Sequence, residues 1–497
     1  MRNKAAFLTL TALVLALCVP SHVAGRTSQD AGAVSEAPTL SVEAMKEDLK
    51  VLLDVLEEGH GGFDRYTPAG DLRKMLDGIA AGLTGPLTEF EFYVRLLPFI
   101  ASIKDGHTGL RLSSATALSL ESQAVFFPFG LRFAGGKTFI FRNLSRDPGI
   151  EAGAELLAVN GMPMTEVLPK LMELMPSDAG IASRKIRQLE SPGMFGRLFA
   201  LRFGLPGSYR LSLRRPGSAE AEERTVPAVK GSDISALLRE RYPDAVGVKP
   251  LYELSFRGTT AVLAIRGFAD AREQGAIPYR EFLARTFKTL RDMNVPALVI
   301  DLRANGGGND EYGKLLVAYF MSGPFDYYRA LECKKASYDL FRYTSTAKEA
   351  VDELATHVKR NARGWYDIIG HPNTGPQQPQ TPQFRGRTAI LIDGLSFSAT
   401  GETTTVFHHH RKAVFFGEEC GAGYYGNSSG FMTLVTLPRT RLQLRVPLTS
   451  YTMAADGYPK DRGIVPDFPV EPTIEDLLAG RDPVMDRALK YLTEKKP

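Results

Sequence analysis

A serine, a histidine and a cluster of glycines are the residues of this chain whose types and surroundings could do chemistry together. Ser398 lies in Ala389-Ile-Leu-Ile-Asp-Gly-Leu-Ser-Phe-Ser-Ala-Thr-Gly-Glu402, where an apolar run ending at Asp393 reads as a buried strand and the residues from Ala399 to about His410 read as a helix. The serine therefore stands at a strand-to-helix turn. Free N–H groups at a helix N-terminus favour the negative charge that develops in acyl transfer, so the position suits a nucleophile; it suits an N-cap as well. His107 sits in Lys104-Asp-Gly-His-Thr-Gly-Leu110, a polar, glycine-containing turn ahead of an apolar stretch. A base for a serine needs a titratable imidazole within hydrogen-bond reach and a third group to orient it, although a lone histidine in a turn also serves structure alone. Asp301-Leu-Arg-Ala-Asn-Gly-Gly-Gly308 follows a strand directly. Glycines there let backbone N–H groups approach a ligand, as in an oxyanion hole or phosphate cradle, or simply close a tight turn. The stretch has no Gly-Lys-Ser/Thr ending and lacks the dinucleotide spacing, which excludes the common nucleotide-binding loops.

Other candidates are weaker. His408-His-His410 is a consecutive run on a helix, so its rings point three ways, whereas metal ligands on one face need a spacing of three or four. No metal and no cofactor is expected. Cys420 would be nucleophilic only beside a base, and no sequence feature supplies one. Cys333 and Cys420 could pair in an oxidising compartment or stand as two buried thiols.

In chain order, Asp105-Gly-His-Thr108, Asp301-Leu-Arg-x-Asn-x-Gly-Gly308, Ser398-Ala-x-x-Glu402 and Gly463-Ile-Val-Pro-Asp467 resemble the tail-specific or C-terminal processing peptidase family. That family includes tricorn protease and the retinoid-binding protein of the eye. The resemblance covers nearly all of the chain after its leader, including the Leu56-Glu-Glu-Gly-His60 region. It implies a multidomain α/β protein with an N-terminal helical unit, a PDZ-like β-rich domain and a crotonase-like α/β catalytic core. Many members use a Ser–Lys dyad, but in Gly417-Glu-Glu-Cys-Gly-Ala-Gly-Tyr-Tyr-Gly426 the lysine position falls on Gly423. The chain is similar instead to the tricorn branch. On that resemblance Ser398 attacks the scissile carbonyl, His107 is the general base, and N–H groups of Gly307 or Gly308 and of Ala399 hold the oxyanion. The acid that orients His107 is open between Asp461, beside the aligned Lys460, and Asp105. Thr108 either supports His107 or only shapes the turn. The implied activity is a secreted serine endopeptidase acting on peptides or unfolded chain ends. Alternatives are a non-catalytic peptide- or lipophile-binding protein on the same fold, and a hydrolase of small esters or amides.

The elements that must position these residues divide the chain. Residues 1–25, with Arg2 and Lys4 before the uncharged run Ala5 to Val19 and small residues at Val23, Ala24 and Gly25, read as a secretory signal, and 26–38 as a flexible leader. A periplasmic or extracellular location follows, with no stable membrane insertion after cleavage. Apolar residues Met45, Leu49, Leu52, Leu53 and Leu56 behind Ser41 open a helical unit over 39–115 that carries the His107 turn. Residues 120–230 read as β-rich and PDZ-like, or as an ordinary β domain without a ligand; Phe129, Gly130 and Leu131 are the candidate loop for a peptide carboxylate. The catalytic core spans 250–475, with buried strands at Thr260–Ile265, Ala297–Asp301 and Thr388–Ile392 and a surface excursion over 345–384. A C-terminal helix takes 476–497. At 497 residues and a net charge of +4, without a basic stripe, the chain offers about three domains and no case for nucleic acid.

Overall fold

The structure, a computed structural model, describes residues 38–494 apart from positions 124, 246, 248, 271–276 and 347. The expected signal peptide and nearly all of the leader lie outside the described residues. Among the described residues no helix is long and apolar enough to cross a membrane.

Helices Val42–Gly59, Ala69–Ala81 and Glu89–Ser102 make the N-terminal unit. Ser41 caps the first by accepting from the Ala44 N–H, and Thr88 with Glu91 forms a reciprocal capping box on the third. The helical spacing read from the sequence is the buried stripe, since Met45, Leu49, Leu52 and Leu56 are all buried. After the His107 turn the chain runs straight into strand Gly109–Arg111, which pairs antiparallel with Gln443–Met453 of the core. The histidine thus hangs between a helix of one unit and a sheet of another.

A second unit is an antiparallel sheet in the order Ala221–Pro227, Ser208–Arg214, Glu155–Val159, Lys137–Asn143, Phe129–Ala134. Its Gly135-Gly136 turn has positive φ at both residues (56° and 71°), as a tight hairpin connection needs. Helices Met164–Met172, Ala182–Leu189 and Met194–Phe203 are inserted between two of its strands. One expectation needs correcting here. Phe129, Gly130 and Leu131 belong to an edge strand, not a loop, and the Phe129 and Leu131 side chains are buried in the sheet's core.

The third unit is built on a sheet ordered Tyr252–Arg257, Thr260–Ile265, Ala297–Asp301, Arg387–Ile392, Val414–Gly417, Phe468–Pro469. Only the first pairing is antiparallel. Its central strands are covered on both faces and accordingly read as unbroken apolar runs. Ile300 and Ile390 face a core shared with helices Tyr279–Asp292, Asp310–Ala318 and Ala399–His409, while Val299 and Leu391 face helix Pro483–Thr493. A second sheet, ordered Val358–Arg360, Tyr366–Ile368, Tyr328–Cys333, Gln443–Met453, Ser428–Thr436, takes its first two strands from the stretch read as a surface excursion.

The helical unit is tied to this second sheet by a buried carboxylate. Asp48 accepts from the Arg439 N–H at 3.1 Å and from the Thr440 N–H at 2.6 Å, closing the turn between two strands. Asp48→Ala is expected to cost about 1–3 kcal/mol for each N–H left without an acceptor, with Asp48→Asn losing less. A urea midpoint that falls at constant m-value will show it, and an unmoved midpoint would mean the turn closes without this carboxylate.

Candidate active site

Strand Arg387–Ile392 delivers the chain to a turn fixed by Asp393. Its Oδ1 accepts from the N–H groups of Leu395 at 2.9 Å, Ser396 at 3.0 Å and, across the site, Ala304 at 3.0 Å. One carboxylate therefore holds the serine turn and the glycine turn together. Ser396 Oγ donates to Leu302 O at 2.9 Å and ties the same two turns again. Ser398 follows with φ 57° and ψ −128°, a conformation costing on the order of 1–3 kcal/mol outside glycine. Its hydroxyl caps nothing on helix Ala399–His409 and lies 3.0 Å from His107 Nε2, so the capping alternative is not what the serine does.

His107 is held by its own turn. Asp105 Oδ1 accepts from the His107 N–H and the Thr108 N–H, both at 2.9 Å, and from Thr108 Oγ1 at 3.1 Å. Behind it, His60 Nδ1 accepts from the Gly62 N–H, which leaves the proton on Nε2 to be donated to Thr108 Oγ1 at 2.6 Å. The His107 ring is 4 % exposed and stacks on Phe397 at 4.6 Å, while the Arg184 guanidinium lies 3.3 Å over the Phe397 ring. Gly106 is required for this stack, because a Cβ there would stand 2.7 Å from the Phe397 ring. Burial pushes the His107 imidazole down to about 3, against the pull of Asp105, and pushes His60 down to about 4. Both rings are neutral at pH 7. His107 Nδ1 is buried and has no hydrogen-bond partner among the described residues.

Of the two acids proposed from sequence, Asp105 lies beside the ring and is the carboxylate whose charge acts most strongly on it, and Asp461 does not. Asp461 is exposed, on the wall of an open cleft of about 290 Å³ beside Arg462, Glu419 and Ala179 to Ala182. Asp105 spends one oxygen on the turn. A third acid, Asp178, was not singled out from the sequence. It sits on the short turn of helix Asp178–Gly180 in the inserted stretch, accepts from the Gly106 N–H at 2.8 Å and the Gly423 N–H at 3.3 Å, and is buried. Ligating atoms of Asp105, His107 and Asp178 all lie within 4.8 Å of one another. Burial first and Asp105 second raise Asp178 to about 6. By spacing alone the three could hold a cation, but Arg184, Arg445 and Arg65 already place positive charge on His107. The arrangement suits an imidazole and its acid better. Nothing local in Ser177-Asp-Ala-Gly180 marks this role, since it depends on where the insert docks. At Gly423, the position of a dyad lysine, a Cβ would run into the Tyr66 hydroxyl. The space is filled by tyrosine and aspartate.

Opposite the serine, Gly307 has φ +101°, and a Cβ there would stand 2.7 Å from Ser398 Cβ. Its own N–H is donated to Asn305 Oδ1 at 2.9 Å, which removes it from the candidate oxyanion donors. The Gly308 and Ala399 N–H groups have no acceptor among the described residues. At the β-rich unit's edge, the Phe133 N–H is donated to Glu190 Oε1 at 3.0 Å, and Arg187 pairs with both Glu190 and Glu418.

Residues 259–470 match the model of peptidase family S41. No curated protein matches the sequence. Among solved structures, mature CPAF aligns at 17% identity with a TM-score of 0.57, covering 90% of this chain and 96% of that one. Mature CPAF complexed with lactacystin aligns at 18% identity with a TM-score of 0.59, covering 90% and 97%. Tricorn protease aligns at 12% identity and a TM-score of 0.35, covering 90% of this chain and 36% of that one. At these identities the CPAF structures show a shared fold and the tricorn overlap carries no weight. Through its core the chain is similar to peptidase family S41, and it is a serine-type peptidase.

Proposed function

We propose that the protein is a secreted endopeptidase in which Ser398 is the nucleophile, His107 the general base and Asp178 the acid that orients the imidazole. The single observation that carries this reading is the 3.0 Å approach of Ser398 Oγ to His107 Nε2. Ser398 Oγ attacks the scissile carbonyl as its proton passes to Nε2, and the carbonyl oxygen gains negative charge between the Gly308 and Ala399 N–H groups. The imidazolium then has its Nδ1–H to satisfy. Asp178 and Asp105 both have ligating atoms within 4.8 Å of the ring, and Asp178 is the one that comes from outside the histidine's own turn. Nε2 returns the proton to the leaving amine, and water repeats the sequence on the acyl-enzyme. Asp105 holds the turn through Oδ1 and its charge also supports the imidazolium.

Extended peptide or unfolded chain ends fit an enzyme whose β-rich unit ends in an edge strand, since such a strand adds a peptide through backbone hydrogen bonds. The signal-like residues 1–25 support export. A second reading, hydrolysis of small esters or amides by the same serine, draws on one observation: Glu190 occupies the Phe133 N–H on that edge.

Labelling with a fluorophosphonate, followed by mass spectrometry, tests the assignment. Label is expected on Ser398 and is lost in His107→Ala. Asp178→Asn should slow labelling by about 10²–10⁴ and Asp461→Ala by less than about twofold. Slowing by Asp461→Ala with none by Asp178→Asn would exchange the two acids. Turnover of a denatured protein but not of a small ester supports the endopeptidase; the reverse supports the second reading.

The pH profile follows from the burial of His107. A base must be unprotonated, and a folded pKa below the unperturbed 6.5 moves the acid limb to lower pH. The labelling rate is therefore expected to hold as pH falls through 6.5 and to decline only below it. A midpoint at or above 6.5 would show that the imidazole is solvated in the working enzyme.

A further inference from the structure

Beneath the nucleophile, and outside the steps above, lies a buried acidic pair bridged by one hydroxyl. Tyr328 Oη is 2.6 Å from Glu402 Oε2 and 2.7 Å from Asp310 Oδ2. A phenol has one hydrogen and cannot donate to both carboxylates, so one of the acids carries a proton. Asp310 is partly exposed at the start of helix Asp310–Ala318 and lies 3.4 Å from His371 Nε2. Glu402 is 3 % exposed, and its other oxygen accepts from Asn427 Nδ2 at 2.7 Å. The proton belongs on Glu402: Glu402 donates to Tyr328, Tyr328 donates to Asp310, and Asp310 faces His371.

Resting on the assignment of Ser398 as nucleophile, we propose that Glu402 is a positioning residue that must be neutral, and that its ionisation disables the oxyanion site at the head of its own helix. Glu402 lies one turn beyond Ser398, and its N–H donates to Ser398 O at 3.1 Å. An anion there opposes the negative charge that forms at the Ala399 N–H, and it sets two carboxylates on one hydroxyl, which forces the first turn of the helix to shift. The other groups facing Glu402 add no counter-charge. They are Asp310, the phenols of Tyr327, Tyr328 and Tyr451, the Asn427 amide, and Asp178 from the insert. Burial, followed by the charge of Asp310, raises Glu402 to about 8.

Two measurements test this, one of them independent of catalysis. In the wild type the fluorophosphonate labelling rate is expected to fall above about pH 8, approaching about tenfold per pH unit, and Glu402→Gln, the neutral isostere, is expected to lose that alkaline limb when each profile is normalised to its own plateau. In a Ser398→Ala background, adding Glu402→Gln should raise Tm relative to its parent by an amount that grows from about pH 5 to about pH 8 and then stays constant. The sign follows because the unfolded carboxyl has already lost the proton that the folded one keeps. An alkaline limb unchanged by Glu402→Gln, a Tm gap independent of pH, or a Glu402→Gln protein that does not fold would each overturn the proposal. Wild-type protein that takes no label at any pH overturns the Ser398 assignment and the switch with it, while the Tm gap still reports whether Glu402 holds the proton.

Discussion

The 3.0 Å contact between His107 Nε2 and Ser398 Oγ joins groups 291 positions apart, and much of the architecture serves to keep that distance. Neither partner is free to adjust. Ser398 is locked in a positive-φ turn by the Asp393 carboxylate, and His107 by Asp105 and by a ring stack that leaves no room for a side chain at Gly106. The distance is then set by how the helical unit docks on the core. Strand Gly109–Arg111 enters the core's second sheet, Asp48 closes a turn of that sheet, and a Cβ at Gly61 would stand 2.6 Å from the Thr449 backbone. The helical unit is half of the active site.

Burial gives the site a second common property. It holds His107 and His60 below, and Asp178 and Glu402 above, their ordinary values, so the resting imidazoles and Glu402 are uncharged while Asp105, held low, keeps its charge beside the ring. A buried centre that excludes water makes a new charge costly everywhere except where donors already point. Those donors are the Gly308 and Ala399 N–H groups beside the serine. An imidazolium at His107 would be the exception, with the Asp105 and Asp178 carboxylates within 4.8 Å of it.

What could be read from the sequence follows from how local each signal is. Ser398, His107 and the 301–308 turn announce themselves through turn chemistry within a few residues, and the three central strands through unbroken apolar runs. The acid was not legible in the same way. The sequence left the choice open between Asp461, whose side chain is solvent-exposed, and Asp105, and Asp178 comes near His107 only because an inserted helical stretch folds back between two units. Phe129 to Leu131 took the loop reading from the PDZ-like resemblance, while the apolar alternation over 126–133 describes the edge strand with one face buried that is found. The neutrality of Glu402 could not be read at all, since it arises from one hydroxyl of a distant strand.

The insert that carries Asp178 also helps fill the position that the resemblance gives to a lysine in other members. Gly423 donates its N–H to Asp178 while the Tyr66 hydroxyl fills the volume a longer side chain would need, so acid and lysine exclude each other at this position. From the same insert, Arg184 packs on Phe397, Arg187 pairs with Glu418, and Glu190 holds the Phe133 N–H of the edge strand. Asp178 and the group that occupies the strand edge thus belong to one continuous, cross-linked piece of chain. A peptide that adds to that edge must displace Glu190, and Glu190 is tied through Arg187 to the loop that follows strand Val414–Gly417 of the catalytic sheet. In this fold the contacts of the edge strand and those of the turn behind His107 are made from the two ends of one stretch, on either side of helix Ala182–Leu189.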